Sequence, residues 1–346
     1  MSSSIKFNSK NEKIKEVFFE MLEHAKGRSK ITIKQFANAI AEFEKFTNYQ
    51  DFTTFNISQA IGFKEYLSSK TNQLTGEAIS KSYLQHYAKS VREFFEFLSH
   101  QKGYQKHIKY NDVQYFNLTR NDRNKAMATN FQDRNSIADI LSTIRNMSNS
   151  TPIETRDKAM ISLNLLTTPR ISALQSARIG SIKYFKNQDI WAFCQNPNTV
   201  NTKFSRNITA YFIGNSQDIY QNVFDWIDYL KTQRFTDKDY LFPRFEASFT
   251  SDGFKTLVLE NKMIKSQTTI RKIFQNAFEE TGFSYFKPHS FRHSIVEKAN
   301  EMTNASMWIS ALNPNFGHTI DSVIISSYGT IAENKRGKIL KDFPLE

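Results

Sequence analysis

The chain has 346 residues, 39% of them hydrophobic, and includes 31 Phe and 14 Tyr. That length exceeds one small domain and suits two, at about 100–200 residues per domain, and the aromatic content supplies large apolar areas for two cores. A formal net charge of +12 points to a polyanionic partner, because clustered Lys and Arg bind phosphates by releasing counterions; composition alone leaves DNA, RNA and an anionic membrane surface open.

The basic excess is spread along the chain, with 18 basic against 12 acidic residues in 1–120 and 28 against 22 in 121–346. Both parts can therefore face the same polyanion. A single cysteine, Cys194, excludes an internal disulfide framework and a multi-cysteine zinc site. The segment Met1–Lys10 is polar, and no window approaches the roughly 18 apolar residues of a membrane span. The expectation is a soluble, cytoplasmic protein, nucleoid-associated if the polyanion is DNA.

Taken in chain order, Ile33, Phe36, Ile40 and Phe43 recur three or four apart, the stripe of a helix packed on one side. Ala60, Phe63 and Leu67 repeat the pattern. Leu84, Tyr87, Val91, Phe94 and Leu98 give it most clearly, with Lys81, Lys89 and Arg92 on other faces. Together these predict a small helical bundle. The stretch 117–129 is polar and poor in bulky apolar residues, as a linker would be, which puts a domain boundary near residue 120. Beyond it, residues 137–144 and 159–166 have helical spacing, Trp191–Cys194 and Ile208–Ile213 look like short strands, and 268–278 and 290–300 return to helical spacing.

Chemistry concentrates in four short motifs of the second part. Thr168-Pro169-Arg170 follows an apolar helix, and a guanidinium fork there can grip two phosphate oxygens without losing its charge. Lys203 lies between the two predicted strands, where a lysine of lowered pKa could protonate a leaving oxygen; Arg206 and Lys186 compete for that role. In His289-Ser290-Phe291-Arg292-His293, residues 289 and 292 fall three apart on a helix start and can share a site, while His293 falls one position further round. Asn315-Phe316-Gly317-His318 joins a close-approach glycine to a phosphate-donating imidazole. Tyr328 follows ten residues after His318, a phenol available as a nucleophile.

The order Arg, Lys, His-x-x-Arg-His, Gly-His, Tyr resembles the catalytic series of the tyrosine site-specific recombinase (phage-type integrase) family. The resemblance covers roughly residues 126–335 as a catalytic domain and, more loosely, 10–110 as a helical core-binding domain. It implies a mainly α fold with a small β-sheet, a core-binding DNA-binding domain over 1–120, and an α+β catalytic domain with a C-terminal tail over 121–346. It also implies that Tyr328 is the nucleophile, that Arg170, Arg292 and His318 hold the scissile phosphate, that Lys203 is the general acid, that His289 assists proton transfer, and that His293 is more structural. The activity implied is cleavage and rejoining of double-stranded DNA through a 3′-phosphotyrosyl link, by four protomers on paired sites, with no metal or nucleotide cofactor. The tail after Tyr328 is apolar enough to dock either on a neighbouring protomer or on its own domain.

The chain departs from the family pattern at Thr168, where glycine is usual, at Ala173, where a carboxylate normally orients the arginine, and at Pro169 and Phe291, where leucine is commoner. The spacing from His318 to Tyr328 is about one residue long. Rival readings are a type IB topoisomerase, a DNA-binding protein with a degenerate active site, and a metal hydrolase using His289, His293 and His318, for which no Asp or Glu completes a ligand motif.

Overall fold

The computed structural model of the chain describes residues 7–71, 76–121, 135–249, 252, 255–285, 287–317, 331 and 333–346. They form two compact units, Met1–Gln132 and Asp133–Glu346, each around a hydrophobic core of its own.

The first unit is helical. Helix α1 (Ser9–Glu20) runs into a π turn at Met21–Ala25, followed by α2 (Lys30–Phe46), α3 (Ile57–Ser68) and α4 (Lys81–Leu98). Helix α2 begins where the Ser29 side chain accepts the Thr32 N–H, and α4 where Ser80 accepts that of Tyr83; such caps contribute about 1 kcal/mol each. The expected stripe of α4 is buried at Leu84, Val91, Phe94 and Leu98, and Phe95 joins it. Tyr87 is only half-buried and stacks on Tyr83 at 4.1 Å. Much of the chain's phenylalanine is used here: Phe43 meets Phe63, Phe95 and Phe116 edge-on at 5.2, 5.0 and 5.7 Å, the geometry that ring quadrupoles favour.

The second unit opens with α5 (Ile137–Asn146) and α6 (Pro152–Thr167), each started by a reciprocal capping box, Ser136 with Asp139 and Thr151 with Glu154. Every residue from Ala159 to Thr167 is buried, so α6 is the unit's central helix, apolar on all sides. A one-turn helix α7 (Ile171–Gln175) follows, then an antiparallel sheet of β1 (Ile182–Phe185), β2 (Ile190–Gln195) and β3 (Ile208–Tyr211) in the order β1-β2-β3. Gln195 pairs with Ile208 at the end of the β2–β3 ladder. The strand expected to reach Ile213 stops at Tyr211, because the Ile213 N–H turns away from the sheet to the Leu166 carbonyl at 2.8 Å and ties β3 to the end of α6.

Helix α8 (Gln217–Thr232) packs on α6. A separate two-stranded ribbon, β4 (Pro243–Phe249) with β5 (Lys255–Met263), precedes α9 (Gln267–Glu280), α10 (Ser290–Glu301), α11 (Ala305–Leu312) and α12 (Glu333–Lys341). The C-terminal segment docks on its own unit: Leu340, Phe343 and Leu345 are buried, the Gly214 N–H donates to the Leu340 carbonyl at 2.8 Å, and Phe343 meets Trp308 edge-on at 5.4 Å. Among the described residues, no helix is long and apolar enough to cross a membrane.

Candidate active site

The end of α6 sets the first arginine. Thr168 adopts a left-handed conformation (φ 44°, ψ 48°) and Arg170 then opens α7. This is the position where the family pattern has glycine, and the reason is visible, since a left-handed backbone costs an L-residue about 1–2 kcal/mol. The turn aims the Thr168 carbonyl at the second arginine, whose Nε donates to it at 2.7 Å.

That second arginine, Arg292, lies in the first turn of α10 with 4% of its surface exposed. Its Nη1 donates to the Phe316 carbonyl at 3.1 Å. Its Nη2 is buried and has no hydrogen-bond partner among the described residues. One edge of the guanidinium is therefore fixed by main chain and the other is left with an unmet donor, an expensive state for a buried charge unless a ligand satisfies it.

Gly317 closes the site from a third side. Its φ is +65°, and a Cβ there would stand 2.5 Å from Ile208 Cδ1 and 3.1 Å from Arg170 Nη1, so both conformation and space demand glycine. The preceding Asn315 is buried and pairs with the backbone of Tyr211, accepting from its N–H at 3.1 Å and donating to its carbonyl at 2.8 Å. The Asn315-Phe316-Gly317 turn is thus bonded to the end of β3 as an extra strand would be.

The electrostatics are one-sided. Burial, then the charge of Arg170, lowers the Arg292 pKa to about 10, and burial, then Arg206, lowers that of Arg170. Burial dominates in both cases because the charged form is desolvated. Among the described residues none of Arg170, Arg206 and Arg292 makes a salt bridge. Ala173, where a carboxylate is usual, is a buried member of the apolar core. Arg292 is oriented by the main-chain carbonyls of Thr168 and Phe316.

Lys203 is exposed on a short 3₁₀ turn between β2 and β3, with its Nζ 4.9 Å from the centre of the Phe204 ring; Arg206 approaches the same ring at 5.4 Å. His289 caps α10, its carbonyl accepting the Arg292 N–H at 3.3 Å, and its exposed ring meets that of His293 edge-on at 5.5 Å. The two histidine rings share one exposed face while Arg292 is turned inward, so His293 lies nearer His289 than its sequence position suggested. His318 and Tyr328 lie outside the described residues. The structure therefore brings Arg170, Arg292 and Gly317 together, adds Arg206 through its effect on Arg170, and leaves Lys203 and His289 at exposed positions. Asn315 stood in the Gly-His motif with no role of its own, and nothing in the sequence announced Arg336, which is buried and donates to Asn315 Oδ1. Among the described residues no three His, Cys, Asp or Glu side chains converge as a metal site would require.

Solved structures with this architecture include the XerH site-specific recombinase bound to difH substrate, at 11% identity, TM-score 0.56, covering 97% of this chain and 89% of that one. A lambda integrase dimer bound to a COC′ core site matches at 10% identity and TM-score 0.57, over 93% and 98% of the two chains. The Tn1549 transposon integrase in complex with transposon right end DNA matches at 12% and 0.53, over 94% and 98%. No curated protein matches the sequence. The fold is that of the tyrosine recombinases, enzymes that break and rejoin DNA strands. The phage integrase family model matches residues 131–335, more than half of the chain, and the chain belongs to that family; it is a site-specific DNA recombinase.

Proposed function

We propose that Tyr328 attacks a DNA phosphate held by Arg170, Arg292 and His318, forming a 3′-phosphotyrosyl link and freeing a 5′-hydroxyl that Lys203 protonates as general acid. His289 assists removal of the phenol proton. Attack by a partner strand's 5′-hydroxyl then breaks the phosphotyrosyl bond and returns the phenol, so the phosphodiester is conserved and no external energy source is consumed. The observation that carries this reading is the guanidinium pair itself: two neighbouring, partly desolvated cations which, among the described residues, leave one donor unmet and have no carboxylate paired with either. A phosphate passing through a pentacoordinate transition state supplies the negative charge such a pair lacks.

The helical unit, 1–120, is assigned to gripping duplex DNA and 121–346 to cleavage, with the enzyme acting as a homotetramer on paired sites. Its place of work is then with cytoplasmic, nucleoid DNA. The solved relatives supporting this assembly include a lambda integrase tetramer bound to a Holliday junction, at 13% identity and TM-score 0.56.

The test uses nicked duplexes selected from a random pool by binding to the full-length chain. A covalent protein–DNA adduct is expected, lost in Tyr328→Phe and in Arg292→Ala. An adduct that survives in Tyr328→Phe removes that residue from the role, and binding without any adduct favours a degenerate site.

A further inference from the structure

The connection between β2 and β3 holds a feature that phosphate binding does not use. Phe204 has 69% of its surface exposed and a left-handed backbone (φ 61°), and Ser205 after it is left-handed too (φ 49°). Single exposed apolar residues are ordinary, but two consecutive non-glycine residues in this region carry a conformational cost. Here that cost sets an aromatic ring in solvent between two cations, Lys203 and Arg206. The connection is bonded to the helix that Arg170 opens, the Ser172 hydroxyl donating to the Asn201 carbonyl at 3.3 Å and the Ser176 hydroxyl accepting the Asn201 N–H at 2.7 Å, and the charge of Arg206 acts on Arg170. A row of cation, ring, cation and phosphate-site arginine matches a nucleic-acid strand, which offers phosphates and π faces side by side.

We infer that Phe204 stacks on a base beside the scissile phosphate, a positioning contact that partly opens the base step there. The inference rests on the assignment of Arg170 to that phosphate. A ring so placed acts as proteins' apolar wedges do in the grooves of DNA, where unstacking is cheapest at flexible pyrimidine–purine steps. Phe204 would then favour sites carrying such a step next to the cut, without any hydrogen bond to a base edge. The flanking Lys203 and Arg206 hold the backbone on either side of the ring.

The experiment uses the full chain and the selected duplex, with 2-aminopurine replacing each base within three positions of the mapped cut. Unmodified protein should raise 2-aminopurine fluorescence at one position. Phe204→Ala should abolish that rise and weaken duplex binding about tenfold, the worth of one base–aromatic stack, with the salt dependence of binding unchanged. Phe204→Trp should retain the signal and bind within about threefold of the parent. Arg206→Ala should instead flatten the salt dependence by close to one phosphate contact. Equal binding and equal fluorescence in Phe204→Ala overturn the stacking contact and leave the recombinase chemistry standing, provided the unmodified chain forms its Tyr328-dependent adduct. Failure of that adduct overturns the assignment of Arg170 and this inference with it.

Discussion

The guanidinium of Arg336 donates through Nη1 to Asn315 Oδ1 at 2.7 Å, joining the C-terminal helix to the turn that carries Gly317. The same side chain donates through Nη2 to the Thr209 carbonyl at 2.7 Å and lies 4.6 Å from the centre of the Tyr211 ring, with 2% of its surface exposed. Replacing it with alanine removes two charge-assisted hydrogen bonds, at about 1.5–3 kcal/mol each, and leaves Asn315 Oδ1 with only the bond from the Tyr211 N–H. Arg336→Ala should therefore lower the unfolding free energy of the second unit by about 3 kcal/mol in denaturant melts. It should slow adduct formation more than it weakens duplex binding, because the turn loses its anchor while Arg170 and Arg292 remain.

Gly317→Ala tests the close approach directly. The new methyl meets Ile208 and Arg170 on a backbone already in the left-handed region, and a displacement near 1 Å at a reacting centre costs about 100-fold in rate. Single-turnover adduct formation should fall by about that factor, and Ile208→Ala in the same chain should restore part of it by removing the nearer obstacle.

Thr168→Gly should act in the opposite sense. Glycine relieves the left-handed strain and removes a buried hydroxyl that has no hydrogen-bond partner among the described residues, while its backbone carbonyl still accepts from Arg292. The net gain expected is about 1 kcal/mol, read as a raised midpoint in denaturant with adduct formation preserved. An unchanged or lowered midpoint would show that the threonine side chain is worth more to the local packing than its conformation costs.

A pH effect is expected at Asp218, in the first turn of α8. Its hydrogen bond with Arg145, 2.7 Å from Nε to Oδ2, holds its carboxyl below the usual range. The folded value being the lower, the pair contributes stability at neutral pH that is lost as pH falls from the ordinary carboxylate value, about 4, through the lowered one. Both groups are about half exposed, so the contribution is at most about 1 kcal/mol. Denaturant melts of Asp218→Asn and its parent should differ at pH 7 and converge as pH falls through the lowered carboxyl value; a difference that persists in stronger acid would point to packing.

The family was legible in the sequence because the order of its basic and histidine motifs is specific, and the periodic stripes of α2, α3 and α4 were legible because burial on one face imposes their spacing. Other features depend on contacts the sequence does not display. The bond between Asn315 and Arg336 joins residues of separate elements, and either alone reads as an ordinary polar side chain. The left-handed turn at Thr168 is set by tertiary packing against the residue's own preference. The β4–β5 ribbon shows no clean alternation, since it sets Arg244 opposite Glu260 and carries a bulge beside Pro243. The coupling of Arg206 to Arg170 likewise required the fold.

The burial of Leu340, Phe343 and Leu345 within their own unit also bears on how copies of the chain could trade segments. A protomer that lends this segment to a neighbour vacates three apolar sockets, each worth a few kcal/mol when filled. An exchange that is open at one end leaves one copy with empty sockets and another with nowhere to seat its own residues. Only a closed ring, in which every copy both gives and receives, keeps all the sockets occupied. Among such exchanges a closed ring would be favoured over an open chain, while the segment seated on its own unit fills the same sockets without exchange.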